Sequence, residues 1–240
     1  MKIQNKAKIQ GFEVNTYSEE EAFVRIQESG GQVVTINPEI IAMAKEDAEL
    51  KEIINSAELV IPDGIGVEIG LKILGHNVKR IPGINFARRL LTTSVKNAQT
   101  VALVGSKPTV LKKTIDNLRN EIQGINIIYS RDGYFGDNQN VIEDLKLCKP
   151  DIILVAMGAP KQEKFIYQLK KVLPNSIMVG VGGSFDVWSG FIKRAPEIYQ
   201  KLGLEWLYRT ILEPERFKRI FPTLPMFIIN VLKEKWSGKC

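Results

Sequence analysis

Residues 151–164 read D-I-I-L-V-A-M-G-A-P-K-Q-E-K. The apolar run Ile152–Met157 stops at Gly158-Ala159-Pro160, and a polar, helix-forming segment opens at Lys161-Gln162-Glu163. That order is a buried strand, a tight turn and a helix N-terminus in immediate succession. In a parallel α/β sheet, ligands bind here, beyond the carboxyl ends of the strands. The free N–H groups of the new helix suit an anion such as a pyrophosphate. Gly158, Ala159 and Gln162 are therefore candidate contacts, although Gln162 reads equally well as an exposed residue of a first helical turn.

Working outward, three other strand ends carry unusual polar residues: Thr35 with Asn37, Asp63, and Gly182–Asp186. Residues 8–17 read as one short strand. Ser18-Glu19-Glu20-Glu21 is a capping box for a helix running to about Ser29. Gln32–Ile36 is a strand, and Pro38–Asn55 is mostly helix with Pro in its first turn. A strand at Glu58–Ile61 stops at Pro62-Asp63-Gly64, and a helix follows to about Leu74. Ile81-Pro82-Gly83 is a turn before a helix over 84–96. Thr100–Val104 is a strand, followed by a helix to about Gln123. A strand at Ile125–Ser130, a helix over 139–148, the 152–157 strand, a helix over 161–172 and a strand at Ile177–Val181 complete the pattern. This alternation predicts an α/β fold, a Rossmann-like, largely parallel sheet with helices on both faces.

From Pro196 the character changes. Helical stretches at about 197–210, 214–220 and 225–235 are separated by Pro214, Pro222 and Pro225. The division expected is a core over 1–195 and a basic helical appendage over 196–240. Residues 190–240 hold ten Lys/Arg against five Asp/Glu, which is most of the net charge of +6. Aromatic and apolar residues alternate with these cations, as in a helix lying on an anionic membrane. A helical tail packed on the domain has the same composition. Exposed apolar side chains there also point to self-association when no membrane is present.

Bulk composition narrows the classes. A chain of 240 residues suits one large domain, or one with an appendage. Two cysteines make no disulfide framework and point to a reducing compartment. The single histidine, His76, disfavours a zinc site or a Ser-His-Asp triad. The opening M-K-I-Q-N-K-A-K-I-Q lacks the apolar core of a signal peptide. No apolar run approaches the ~20 residues of a spanning helix.

Asp63, at the end of a strand in I-P-D-G, is placed to take a proton from a hydroxyl nucleophile; as an N-cap it would be purely structural. Thr35 and Asn37 suit a sugar or a phosphate, or ordinary turn chemistry. Arg80, in K-R-I-P-G, offers a guanidinium for phosphate or a solvated surface charge. The run G-V-G-G-S-F-D at 180–186 only partly follows G-x-G-x-x-G, with Phe185 where the pattern needs Gly. That weakens a dehydrogenase reading, although Gly182, Gly183 and Asp186 still suit a nucleotide. No Walker A sequence and no Asp-x-Asp at a strand end is present, so neither a metal nor a cofactor is expected. A non-catalytic adaptor using the basic tail is the other reading, and it leaves the polar strand ends unexplained.

Taken together, the motifs resemble the WecG/TagA/CpsF glycosyltransferase family. The residues that carry the resemblance are T-I-N-P-E (35–39), I-P-D-G (61–64), R-I-P-G (80–83), V-A-L-V-G (101–105), D-G-Y-F (132–135), M-G-A-P-K-Q-E (157–163), G-V-G-G-S-F-D-V-W-S-G (180–190) and R-A-P-E-I-Y-Q-K-L-G-L-E-W-L-Y-R (194–209). They span nearly the whole chain, and their order makes them specific. The resemblance implies a metal-independent, inverting transferase on the cytoplasmic, inner face of the bacterial membrane. It implies a UDP-sugar donor and a polyprenyl-diphosphate-linked N-acetylglucosamine acceptor, with no nucleic-acid partner. TagA-type members transfer N-acetylmannosamine in a β-1,4 linkage during synthesis of the wall teichoic acid linkage unit; other members use other sugars. Asp63 matches the general base of the family. Thr35, Asn37, Arg80 and Gln162 match its pocket, and Gly158, Ala159, Gly182, Gly183, Asp186 and Tyr134 lie in segments matching the nucleotide site. Arg209, Arg216 and Arg219 match tail arginines that close over the site and hold the diphosphate.

Overall fold

The computed structural model describes residues 5–212 and 217–237, excluding the side chains of 209, 212 and 217–220. The chain opens with a hairpin of β1 (Lys6–Ile9) and β2 (Phe12–Asn15). Residues 8–17 are thus not one strand. Gln10 and Gly11 both take positive φ, 51° and 84°, which is the two-residue turn matched to strand twist. Alternation then buries Ala7, Ile9, Phe12 and Val14 and leaves Lys6 and Lys8 outside.

Next come α1 (Glu19–Ser29), β3 (Gly31–Ile36), α2 (Pro38–Glu46), α3 (Ala48–Asn55), β4 (Leu59–Pro62), α4 (Ile65–Ile73) and α5 (Gly83–Lys96). The capping box at Ser18 and Glu21 forms in both directions. The helix expected over Pro38–Asn55 is two. Asp47 leaves the helical conformation and its side chain accepts from Leu50 N at 3.0 Å, capping α3. The second half contains β5 (Thr100–Gly105), α6 (Pro108–Glu121), β6 (Asn126–Arg131), α7 (Asn138–Cys148), β7 (Ile152–Ala156), α8 (Lys161–Lys170), β8 (Ile177–Gly180) and a short α9 (Ser184–Trp188) that local pattern does not announce.

The six strands β3 to β8 form one parallel sheet in the order β4-β3-β8-β7-β5-β6. The last strand, β8, is inserted at the centre between β3 and β7. The Rossmann-like expectation is met, with helices on both faces. One face is covered by α1, α5, α6 and α9, whose apolar residues join Val33, Ile61, Leu103, Leu154 and Val179. The other carries the hairpin, α2, α3, α4, α7 and α8 in two adjoining clusters. At the β4 edge, Asn15 Oδ1 accepts from Val60 N at 2.8 Å, so the hairpin covers part of an edge that would otherwise be open.

The C-terminal segment forms α10 (Glu197–Lys201), α11 (Glu205–Leu212) and α12 (Phe217–Trp236). The single helix expected over 197–210 is interrupted at Gly203, which has φ 72°. Pro222 and Pro225 do not separate helices; both lie inside α12. Each removes one backbone hydrogen bond, and downstream packing outweighs that loss. Phe227 and Val231 are buried against α2, α4 and the hairpin, and Glu234 accepts from the backbone N of Gln10 at 2.8 Å. Part of the region expected as an appendage therefore completes the second core. Phe227→Ala should lower stability by about 3 kcal/mol, read as a lower urea midpoint, because the fixed neighbours cannot close the void.

Candidate active site

A cavity of about 450 Å³ lies beyond the carboxyl ends of β3, β4, β7 and β8. The strand order produces it. Inserting β8 between β3 and β7 sets the loops after all four strands around one crevice. Thr35, Asn37, Asp63, Arg80, Gly158, Ala159, Gln162, Gly182 and Gly183 all line it. These residues are spread over about 150 positions of sequence, yet the sheet brings them together.

Each of these residues is held by a local device. Thr35 is buried at the end of β3, with Gly83 against it; a Cβ at Gly83 would lie 2.8 Å from Thr35 Cγ2. Asn37 caps α2, its Oδ1 accepting from Ile40 N at 3.0 Å. Asp63 is half-buried. Its backbone N continues the sheet by donating to Ile36 O at 2.8 Å, and its Oδ1 accepts from Gly83 N, the first residue of α5, at 3.3 Å. Asp63 is therefore not an N-cap of α4, which starts after Gly64 with no side-chain cap.

Arg80 is fixed from two sides. Its backbone N donates to Glu68 Oε2 at 3.0 Å, with the guanidinium 4.0 Å from the same carboxylate, and its Nη2 donates to Gln200 O. The turn at Gly203 comes down beside it, where a Cβ would meet Ile65 at 2.8 Å and Arg80 Nε at 3.3 Å. The segment α10–α11 thereby forms one wall of the cavity.

Gln162 is not an exposed helix residue; it is 4 % exposed. Its Oε1 accepts from Gly158 N at 3.2 Å and Gly182 N at 3.1 Å, and its Nε2 donates to Glu163 Oε1 at 2.8 Å. Tyr134 stands exposed on the loop after β6, and Asp186 lies in α9, where its carbonyl accepts from Ile192 N; neither is on the cavity wall. Arg216 lies outside the described residues, as do the side chains of Arg209 and Arg219.

Several wall residues escape sequence reasoning. Arg194 lines the cavity, donating from Nε to Glu205 Oε1 at 3.2 Å and from Nη2 to Asn85 Oδ1 at 2.6 Å. Glu205 and Trp206 also line it. None stands at a strand end, so only the quoted string 194–209 pointed to that segment. Trp206 Nε1 is buried with no hydrogen-bond partner.

The electrostatics favour an anion. The helices α4, α5 and α8 begin at the cavity after Gly64, Pro82 and Pro160, and none of these has a side-chain cap. Their positive dipole ends face the cavity. Arg80 and Arg194 also stand on the wall, each beside a carboxylate, Glu68 and Glu205. Asp63 sets a carboxylate on the same wall. Among the described residues, no group of three His, Cys, Asp or Glu side chains is arranged to hold a metal ion.

Glu163, beside Gln162, is 3 % exposed, and burial raises its carboxyl above the usual range. The folded protein thus binds this proton more tightly than the unfolded chain. Its cost to stability is absent below the ordinary carboxylate range and grows as pH rises through the folded value. The stability of Glu163→Gln relative to the parent should therefore increase with pH over that window and then level off, as measured by urea unfolding from pH 4 to 8.

Residues 7–240 match the family model described as Glycosyl transferase WecG/TagA/CpsF family. The chain is 36 % identical over 214 residues to the N-acetylglucosaminyldiphosphoundecaprenol N-acetyl-beta-D-mannosaminyltransferase of Bacillus subtilis strain 168, covering 89 % of this chain and 83 % of that one. It is also 36 % identical over 215 residues to the protein of the same name from Bacillus spizizenii, with the same coverage. The match over nearly the whole chain and the identity to both relatives agree, and the chain belongs to the WecG/TagA/CpsF family of glycosyltransferases.

Proposed function

We propose that this glycosyltransferase moves N-acetylmannosamine from UDP-N-acetylmannosamine to undecaprenyl-diphosphate-linked N-acetylglucosamine. The product is a β-1,4 disaccharide of the wall teichoic acid linkage unit. The relatives' printed names supply the acceptor and the transferred sugar. The observation that supports the chemistry is the meeting of Asp63 with three helix N-termini lacking side-chain caps in one cavity.

In this reading the acceptor's C4 hydroxyl attacks the anomeric carbon from the face opposite the leaving group. The new C–O bond forms, the bond to the UDP β-phosphate oxygen breaks, and the configuration inverts. Asp63 takes the hydroxyl proton. Negative charge develops on the departing diphosphate, where fixed donors lower the barrier most. The amides opening α4 and α8, with Arg80 and Arg194, are those donors, and no metal is required. Thr35 and Asn37 contact the sugar, Gly158, Ala159, Gly182 and Gly183 give backbone approach to the nucleotide, and Asp186 and Tyr134 lie in flanking segments. Arg209, Arg216 and Arg219 close over the diphosphate once the acceptor is bound.

The acceptor is a lipid, so the site works at a membrane. Among the described residues, no helix is long and apolar enough to cross one. The reading is of a peripheral protein on the cytoplasmic face. Ile198, Leu202, Ile211, Met226 and Trp236 are exposed on the C-terminal helices within the basic part of the chain. Apolar side chains with cations beside them suit an anionic lipid surface. The same side chains favour self-association off the membrane.

Two experiments test this. The first measures transfer from UDP-N-acetylmannosamine, UDP-N-acetylglucosamine and UDP-glucose to a lipid-diphosphate N-acetylglucosamine acceptor, with and without EDTA. Transfer from the mannosamine donor alone, unaffected by EDTA, is expected. Asp63→Asn should reduce kcat by about 10²- to 10⁴-fold while UDP binding persists. Full turnover by that variant would remove Asp63 from the mechanism, and preference for another donor would reassign the sugar. The second measures sedimentation with phosphatidylglycerol vesicles. Met226→Ser with Trp236→Ser should weaken binding at least fivefold without lowering the melting temperature; undiminished binding would place the membrane surface elsewhere.

A further inference from the structure

Gln162 and Glu163 are consecutive in the first turn of α8, and both are buried. Neighbours in a helix point about 100° apart, so the two side chains meet different surroundings. Here α8 begins in the crevice between strands. Gln162 faces the loops after β7 and β8, while the Glu163 carbonyl accepts from Gln32 Nε2 of β3 at 3.3 Å.

The Gln162 oxygen accepts two backbone N–H groups, those of Gly158 and Gly182. These belong to the two loops that form the floor of the cavity, and the loops come from different strands. One atom therefore sets the spacing between them. An amide has nearly the same shape when its oxygen and nitrogen are exchanged, so packing alone cannot choose between the two orientations. In the wrong one, the NH₂ group would face two N–H donors and leave each without an acceptor. The choice is made at the other end. Glu163 Oε1 accepts from Gln162 Nε2 at 2.8 Å, which favours the orientation with the NH₂ on that side. Gly180 keeps the space clear, since a Cβ there would lie 2.6 Å from that nitrogen.

We infer that Glu163 is a positioning residue for the nucleotide-sugar site, acting through Gln162 to hold the Gly158 and Gly182 loops at their working separation. The nature of the ligand rests on the functional reading above. Glu163 itself touches no substrate in that reading. Its second oxygen, Oε2, has no hydrogen-bond partner, and burial favours its protonated form. A leucine would avoid both costs, but it could not orient the amide.

The experiment compares Glu163→Leu, Glu163→Gln, Gln162→Glu and the exchange variant carrying both Gln162→Glu and Glu163→Gln. Three readings are taken: KM and kcat for UDP-N-acetylmannosamine, UDP affinity by calorimetry, and hydrogen exchange at the Gly158 and Gly182 amides. Glu163→Leu should raise KM and weaken UDP binding about tenfold, with kcat falling less than threefold. It should also speed exchange at both glycine amides at least tenfold. Glu163→Gln, whose oxygen can still accept from Gln162, should stay within threefold of the parent in KM. Gln162→Glu alone sets two carboxyl groups side by side and should raise KM more than tenfold. The exchange variant restores an acceptor for the loops and a donor to orient it, and should recover most of that loss.

A purely structural role would lower the melting temperature and the active fraction, hence the apparent kcat, and leave KM alone. A folded Glu163→Leu with parental KM and parental exchange at both glycines would overturn the inference. If that variant does not fold, an exchange variant no better than Gln162→Glu alone overturns it instead. Should the parent transfer no sugar from any UDP donor, the functional reading fails, while exchange at the two glycine amides still decides the positioning role.

Discussion

The structure depends on β8 pairing with two strands at once. Its four residues bond to β3 on one side and β7 on the other. Without it, the half built from β3 and β4 would share no ladder with the half built from β5, β6 and β7. Parallel ladders leave their residues buried on both faces, and β3, β7 and β8 are buried along their whole length. Because all six strands run the same way, each one delivers its following loop to the same edge. The cavity is a consequence of that arrangement, and its floor is the pair of loops on either side of the β7–β8 ladder.

At that edge, charge is distributed unevenly by design of the backbone. Asn37 and Asp47 cap α2 and α3 with side chains, which satisfies the first N–H groups of those helices. The helices α4, α5 and α8 lack such caps, and all three open on the cavity. The positive dipole ends of these helices face the same space, which suits an anion there. Asp63 shares this field, since the first amide of α5 donates to it.

The C-terminal segment joins three parts of the molecule. Phe227 and Val231 of α12 lie in the core beside the hairpin, Arg80 donates to a carbonyl of α10, and Glu205 of α11 pairs with Arg194 on the cavity wall. Exposed apolar side chains sit on these same helices.

The sequence by itself determined the local elements. Apolar runs ended by Gly or Pro, the capping box at Ser18 and Glu21, and Pro at the start of α2 are read over a few residues, because strand and helix periods and cap chemistry act at that range. Polar residues at strand ends also singled out Thr35, Asn37 and Asp63, which the structure brings to the cavity. Only the tertiary structure decided the rest. The strand order depends on pairings between distant segments, so nothing near β8 announces that it lies between β3 and β7. The prolines of α12 are tolerated because of packing by Phe227 and Val231, a contact with residues some two hundred positions away. Arg194, Glu205 and Trp206 reach the wall only because Gly203 lets α10 and α11 fold down onto α4. Gln162 looked like a surface residue or a ligand contact, since helical pattern reports only its own helix. Its buried role depends on two backbone amides brought to it by the sheet.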